Sequence, residues 1–462
     1  MSIHKEEVAD VFQEQVTYFK SGATRSYSFR KKTIKALLQG IKEHEEEILD
    51  ALYSDFHKDR FEAYASEIGF IYAEIKHCLK WLKEWMRPQS QPGSMITFPA
   101  RSYVQAQPKG QVLILSPWNY PFNLLINPLL AALAAGNTAM LKLPRQTPAT
   151  AAVVDKILSK IYPHSLVACV DIEDQDVIPS LIKAQNFQHI FFTGSVRVGK
   201  LIYAAAADKM TEVTLELGGK SPAIIDGTAD LKVAAKRIIW GKTFNAGQTC
   251  IAPDHLWVHS SVKEKFQKLL VEEADRCMKA YGGNEKFTYI INDERFKTLE
   301  DSLKNENVVF ESGRDAASRF FGLCIVDEPT MESPLMNEEI FGPILPVLSW
   351  TTEEELREKI NQNPNPLSFY IFTKDRKFEK RMIEGIPFGG GCVNDCLVHF
   401  ANTDLPFGGV GTSGIGRYHG RDGFDSLSYK KSITKNTTLV DVPIRYTPYP
   451  NWKSKIIKML LK

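Results

Sequence analysis

The 462-residue chain lacks a surplus of either charge: 57 Lys and Arg stand against 55 Asp and Glu, a formal balance of +2. Binding a polyanion draws on a basic surplus that is missing here, so nucleic acid is not expected as a partner. No run reaches the roughly 18 consecutive apolar residues that a membrane-spanning helix needs. The opening MSIHKEEVADVFQEQ carries charge where a secretory signal would be apolar, so secretion is not expected. Cysteine is sparse and odd in number. Cys78, Cys169, Cys250, Cys277, Cys324, Cys392 and Cys396 are scattered, which excludes a complete internal disulfide framework and suits a reducing, cytoplasmic setting. Cys392 and Cys396 have no companion pair at structural-zinc spacing, and the 10 histidines form no zinc signature, so no metal is expected. FTGSVRVGK lacks two nucleotide motifs: it is not GxGxxG, and it sets Gly194, Gly199 and Lys200 at P-loop spacing only to continue with Leu201, where a magnesium-binding hydroxyl is required.

What is present is ample core material. A hydrophobic fraction of 44% with 29 Gly and 24 Pro is that of a folded chain, and the length allows several domains of roughly 100–200 residues each. Apolar residues recur at helical intervals from Lys31 to Phe56 and from Tyr64 to Leu82, so the first 85 or so residues read as helices. A turn-rich crossing follows, with a short strand at SYVQAQ. QVLILSP, TAMLKLP, LVACVDI and FQHIFFTGS then read as buried strands alternating with helical patterns at INPLLAALAAGN and TPATAAVVDKILSKIY. Such alternation predicts an open α/β sheet with helices on both faces. The pattern restarts near Gly218, with a helix around Ala234 to Phe244, a strand at DHLWVHS and a helix from Val262 to Ala280. Residues 389–416 read as packed loops near a site. SYKKSITKNTTLVDVP has strand character suited to an edge, within this chain or with another subunit.

Three segments carry candidate chemistry. FNAGQTC ends a small, polar, turn-capable stretch on the thiol of Cys250; as thiolate it can attack a carbonyl, but taken alone it reads more readily as a structural cysteine than as a nucleophile. SPWNYPF offers Asn119, whose side-chain N–H suits an oxyanion or, more simply, a turn cap. TLELGG sets Glu216 near a strand end beside two glycines, as a base toward water or as a solvent-facing carboxylate. FTGSVRVGK, after a strand and before a helix, suits a dinucleotide phosphate and equally an ordinary helix entry. These residues leave three readings: a cysteine-dependent oxidoreductase, a cysteine hydrolase, and a catalytically silent nucleotide-binding or structural protein. A dinucleotide-shaped domain is superfluous to simple hydrolysis, and a silent protein does not require Cys250, Asn119 and Glu216 to meet, so the first reading leads.

SPWNYPF, LKLP, FFTGSVRVGK, TLELGGKSP, FNAGQTC, EEIFGP and LPFGGVGTSGIG run along nearly the whole chain in order. Together they closely resemble the aldehyde dehydrogenase superfamily, particularly its class 3, fatty-aldehyde-like branch. The resemblance implies an α/β fold with a Rossmann-like NAD(P)-binding domain over 1–86 and 103–217 and a second α/β catalytic domain over 218–418. A β-arm for oligomerisation would span 87–102 and 426–442, and a tail 443–462. It implies Cys250 as nucleophile, Asn119 as oxyanion donor and Glu216 as activator of water. Glu339 would hold the nicotinamide ribose with Phe341 packed beside it, Lys142 would lie near the adenosine ribose, and Gly194, Ser195 and Gly199 near the pyrophosphate. Ser116, Pro117, Trp118 and Leu217 would complete the cofactor contacts, and Tyr120, Trp240 and Thr249 the substrate pocket, with Trp118 also near its entrance.

One departure concerns the cofactor. Where the family often has glutamate three residues after the adenosine-side lysine, LKLPR supplies Arg145. An arginine removes the repulsion of a 2′-phosphate and can pair with it, so NADP use is expected beside NAD. The implied reaction oxidises medium- or long-chain aliphatic or aromatic aldehydes to acids through a thiohemiacetal and a thioester on Cys250, without metal. Glu216 favours water over CoA as acyl acceptor. A homodimer is implied, and the tail, with Trp452, Ile456, Ile457, Met459, Leu460 and Leu461 among lysines, suits peripheral membrane contact.

Overall fold

The computed structural model describes residues 3, 7–93, 95–171, 177–282 and 285–461. Ser94 in the expected arm, Ile172 in the expected strand LVACVDI and Lys462 in the tail lie outside them. The N-terminal part is helical as its periodicity requires: Val8–Lys20, Tyr27–Glu43, Glu45–Phe56 and Gly69–Trp85 are α-helices, with a π-turn over Tyr64–Ile68. The pattern from Lys31 to Phe56 is broken once, at His44, whose ring bonds Gly40 O at 2.9 Å while its backbone leaves helical values. Ile34, Leu37, Ile41, Ile48 and Leu52 face inward and are wholly buried.

Four short apolar runs become the parallel strands Gln111–Leu115, Thr138–Lys142, Val167–Val170 and His189–Thr193, and Glu212–Glu216 adds a fifth. They are buried on both faces except at the start of Glu212–Glu216, which explains their continuous rather than alternating hydrophobicity. The helix Asn123–Ala135 is buried along every residue, so it shows no amphipathic stripe; it lies between this sheet and the N-terminal helices. A sixth strand, Gly414–Ile415, pairs antiparallel with Glu212–Glu216 and brings a late part of the chain to the first sheet. Strand Gln111–Leu115 lies between Thr138–Lys142 and His189–Thr193. The connections leave to opposite sides there, opening a crevice beyond the carboxyl ends of Gln111–Leu115 and His189–Thr193.

The second sheet orders Val308–Glu311, Cys324–Asp327, Ile344–Trp350, His255–His259, Pro222–Ile225, Ser368–Phe372 and Gly390–Val393, all parallel except the first. Helix Leu231–Thr243 is capped by Asp230, whose side chain accepts from Val233 N at 3.2 Å, and it packs on Lys263–Ala280. Strand Arg101–Pro108 belongs whole to a third, antiparallel sheet with Gln89–Gln91 and Ser428–Lys435, so it runs across the expected boundary at 103. SYKKSITK therefore pairs within its own chain. Residues 389–416 contain the strand Gly390–Val393 and the turns Val398–Ala401 and Gly411–Ser413 rather than one element.

Candidate active site

The crevice is lined by Pro117, Trp118, Asn119, Gly194, Leu217, Gly218, Arg295, Glu339 and Phe341, with Thr193, Ser195, Glu216 and Cys250. A second, apolar cavity of about 380 Å³ reaches the same Thr193, Glu216, Leu217 and Cys250 from the opposite side. Cys250 and Glu216 thus stand where a crevice of mixed polarity meets a far more apolar chamber.

Cys250 is placed there by an unusual backbone. Asn245 (φ 54°), Ala246 (φ 51°) and Gly247 (φ 70°) are consecutive left-handed residues. Gly247 also approaches Gly342 O so closely that a Cβ would lie 2.4 Å from it, so only glycine fits. The turn is pinned from several directions. Glu62 Oε1 accepts the Asn245 N–H at 2.6 Å, and Asn245 Nδ2 donates to Asn119 O and Gln248 O, each at 3.0 Å. Gln248 Oε1 accepts from Ile291 N at 3.0 Å and Nε2 donates to Tyr289 O at 3.0 Å. The half-buried Cys250 thiol is pushed well above its usual range by burial and by the nearby Glu339 and Glu216, against the pull of the Cys250 and Ile251 N–H groups. In this state it is a neutral thiol.

Asn119, on the buried loop after strand Gln111–Leu115, donates one Nδ2 hydrogen to Gln248 O at 3.1 Å. A primary amide carries two such hydrogens, and the second is available. Glu216, the last residue of its strand, is buried with neither carboxyl oxygen hydrogen-bonded to protein. Burial raises it well above the carboxylate range and Arg417 only partly opposes this, which favours its protonated form. Burial likewise lifts Glu339 to about 8; Asp254 adds repulsion, while the Gly219 N–H, Lys220 and Arg295 favour the anion. Glu339 reaches so near Gly218 that a Cβ there would meet its Oε2 at 1.9 Å. Behind it Lys220 donates to Asp254 Oδ2 (2.5 Å), Leu335 O (2.7 Å) and Glu338 O (2.8 Å) and fixes the EEIF loop.

The remaining expected residues fall in several places. Trp118 stands edge-on to Phe341, ring centroids 5.4 Å apart, on the crevice wall and not in the apolar cavity. Ser195 caps helix Val196–Ala207, accepting from Val198 N at 3.4 Å, and presents that helix start to the crevice; Gly199 packs against Leu217 one turn in. Ser116, at the strand end, is outside the lining. Tyr120, Thr249 and Trp240 line the apolar cavity, with Tyr120 Oη 2.6 Å from Thr249 Oγ1 and Trp240 half-exposed at its edge. Arg145 lines a separate cleft of about 390 Å³ with Leu143, Pro148, Asp155 and Asp171; Lys142 is buried at the adjoining strand end and is not on the cleft surface. These features fit a nicotinamide dinucleotide. The helix start and Arg145 suit phosphate, Glu339, seated against the bare Gly218, presents a carboxyl group to the crevice, and Asp155 and Asp171 can accept ribose hydroxyls. Sequence reasoning missed Arg295 and Arg417, which occur in no readable motif, and Gly218, whose GG pair in TLELGG was a usable signal. Among the described residues no group of three or more His, Cys, Asp or Glu is placed to hold a metal ion.

A family model described as "Aldehyde dehydrogenase family" matches residues 1–433. The chain is 40% identical over 459 residues to the 4,4'-diaponeurosporen-aldehyde dehydrogenase of Staphylococcus aureus, covering 98% of each. It is 35% identical over 465 residues to the dimeric NADP-preferring aldehyde dehydrogenase of Canis lupus familiaris, covering 98% of this chain and 99% of that one. Among solved structures, a substrate-bound state of Staphylococcus aureus AldH superposes with TM-score 0.95 at 40% identity over 100% of both chains.

If Glu339 holds the thiol neutral as described, Glu339→Gln alkylates at Cys250 several-fold faster than the parent at pH 9, where Glu339 is ionised, and at a similar rate at pH 6.5, where it is protonated. Iodoacetamide labelling followed by mass spectrometry reads both rates, and equal rates at pH 9 would refute the electrostatic account.

Proposed function

The chain belongs to the aldehyde dehydrogenase family and is an NAD(P)-dependent, non-acylating enzyme; from that premise we propose that Cys250, Asn119 and Glu216 carry the reaction and that its substrates are apolar aldehydes of the class 3, fatty-aldehyde kind. The observation that carries this reading is the meeting of the two chambers at Cys250 and Glu216. An aldehyde enters through the apolar cavity, bounded by Phe61, Phe70, Tyr120, Leu124, Trp240 and Phe407, which favours an alkyl or aryl tail over a charged one. We assign the first sheet to cofactor binding and the second to catalysis.

Once deprotonated, Cys250 Sγ adds to the carbonyl carbon, and the new oxyanion is met by the second Asn119 Nδ2 hydrogen and the Cys250 N–H. When bound, the dinucleotide accepts the former aldehyde hydrogen as hydride. Collapse of the adduct leaves a thioester on Cys250, which water must cleave. Glu216 can take the proton of that water only as a carboxylate, so deacylation gains as pH rises and the proton favoured by burial is lost. Glu339 orients the ribose side and leaves the substrate alone. Trapping the thioester tests these roles. Glu216→Gln is expected to give one equivalent of reduced cofactor per site in a burst with hexanal, followed by turnover about 100-fold slower or more; Cys250→Ser should give no burst. Free hexanoic acid should form without CoA in the parent. Higher kcat/KM for a small acidic semialdehyde than for hexanal or benzaldehyde would overturn the substrate class.

Arg145 at its cleft supports NADP use beside NAD, with Asp155 and Asp171 keeping NAD acceptable. Arg145→Glu should lower kcat/KM for NADP about tenfold or more relative to NAD, and an unchanged ratio would remove Arg145 from cofactor selection.

The three-stranded sheet supports a homodimer built through the arm, and the seven free cysteines support a reducing, cytoplasmic setting. Tail helix Asn451–Leu460 exposes Trp452 and Met459 among lysines and supports contact with an anionic membrane surface, although no helix of the described residues is long and apolar enough to cross one. Sedimentation should give a dimer mass, and phosphatidylglycerol vesicles should pull down the full chain and not one ending at residue 442; a monomer, or pull-down of both chains, would refute the respective part.

A further inference from the structure

Away from the reacting atoms, the buried charges cluster beneath the loop that carries Asn119. Lys58 is wholly buried. Its Nζ stands 2.8 Å from Glu67 Oε1, donates to Asn119 O at 3.3 Å, and lies over the rings of Tyr120 at 4.4 Å and Phe56 at 4.7 Å. Glu67, equally buried, turns its other oxygen to the N–H groups of Phe122 (3.1 Å) and Asn123 (2.9 Å), where helix Asn123–Ala135 begins. Asn119 is therefore bracketed: its carbonyl is held by Lys58 and Asn245, and the helix that follows is capped by Glu67. Glu62 holds the opposing Cys250 loop through Asn245 N. In an uninterrupted α-helix Glu62 and Glu67, five positions apart, would point about 140° from each other. The intervening π-turn Tyr64–Ile68 changes that phase, and both carboxylates serve the two loops that meet at the oxyanion site.

Stability is a poor reason for such a pair, because desolvating two charges offsets most of their attraction. Geometry is a better one: a fixed Asn119 peptide fixes where its side-chain amide points. We propose that Lys58 and Glu67 are positioning residues that aim the Asn119 amide at the developing oxyanion. This inference rests on the reading of Asn119 as oxyanion donor given above.

The test uses the full-length enzyme as Lys58→Met, Lys58→Arg, Glu67→Gln and the double variant Lys58→Met with Glu67→Gln, which leaves no unpaired charge, beside Asn119→Ala. Acylation is read in two ways. One is hydride transfer from hexanal in a single turnover. The other is the burst from 4-nitrophenyl acetate without dinucleotide, whose carbonyl develops the same oxyanion with no hydride step. The double variant is expected to lose about 10–100-fold in both, with KM for hexanal, the Kd for NADPH and the rate of Cys250 alkylation each within about twofold of the parent. Lys58→Arg should recover part of the loss, since it keeps the charge and a donor. Acylation within threefold of the parent in a folded double variant would overturn the proposal. So would a parallel loss of NADPH affinity, or failure of both the double variant and Glu67→Gln to fold, because either would make the pair structural. If Asn119→Ala keeps full acylation, the oxyanion reading itself fails; if it loses acylation while the Lys58 and Glu67 variants do not, only the positioning role fails.

Discussion

Three left-handed residues in a row before Cys250 constrain everything around them. A non-glycine residue in that region costs about 1–2 kcal/mol, and Ala246 has no polar side chain with which to soften it. Such a turn persists only where its surroundings over-determine it. Here Glu62 takes the Asn245 N–H, Asn245 ties itself to Asn119 and Gln248, and Gly342 leaves no room for a Cβ on Gly247. The N-terminal helices, the crevice loop and the EEIFGP loop thus converge on one strained turn. Its result is a thiol at the end of a rigid segment, facing two chambers.

The electrostatics follow from the same burial. Glu62 and Glu339 are lifted to about 7 and about 8, and Glu216 well above the carboxylate range, each chiefly by desolvation. Their folded values lie above the unfolded one, so the folded chain keeps protons that the unfolded chain releases. Their joint contribution to stability is fully present below about pH 4.5 and declines as pH rises through the folded values. A protonated Glu216 beside a neutral Cys250 describes a resting site. Ligands entering either chamber change the desolvation that sets both groups.

Much of the architecture was legible because buried parallel strands and helix periods leave strong patterns: each strand from Gln111–Leu115 to His189–Thr193 falls where its apolar run stands. Cys250, Asn119 and Glu216 were legible as chemistry only in combination, since each alone has an ordinary structural reading. The resemblance, rather than periodicity, supplied Glu339 and Phe341. What stayed hidden depends on long-range register. Nothing local to GRYHG announces that Arg417 comes near enough to act on the charge of Glu216; the antiparallel pairing of Gly414 with Glu216 brings that late part of the chain to the strand. Glu67 looks like a solvent-facing charge in an amphipathic helix, and Lys58 like one in the turn before it, until the tertiary packing against the start of Asn123–Ala135 buries the pair. Trp118 reads from sequence both as a cofactor contact and as part of the substrate entrance, because aromatics near a motif carry no direction; its edge contact with Phe341 sets it on the crevice wall.

The junction of the two chambers also orders the chemistry. The apolar cavity and the crevice share Thr193, Glu216, Leu217 and Cys250, so on the reading proposed above an aldehyde carbon on Sγ would have its hydrogen directed toward the crevice and its tail toward the cavity. Water is a poor guest in the apolar chamber and has few polar partners there. It competes for the same space beside Glu216 from the crevice side, where a bound dinucleotide would exclude it. On the reading proposed above, hydrolysis at Cys250 would then require that the crevice be at least partly vacated, and oxidation that it be filled.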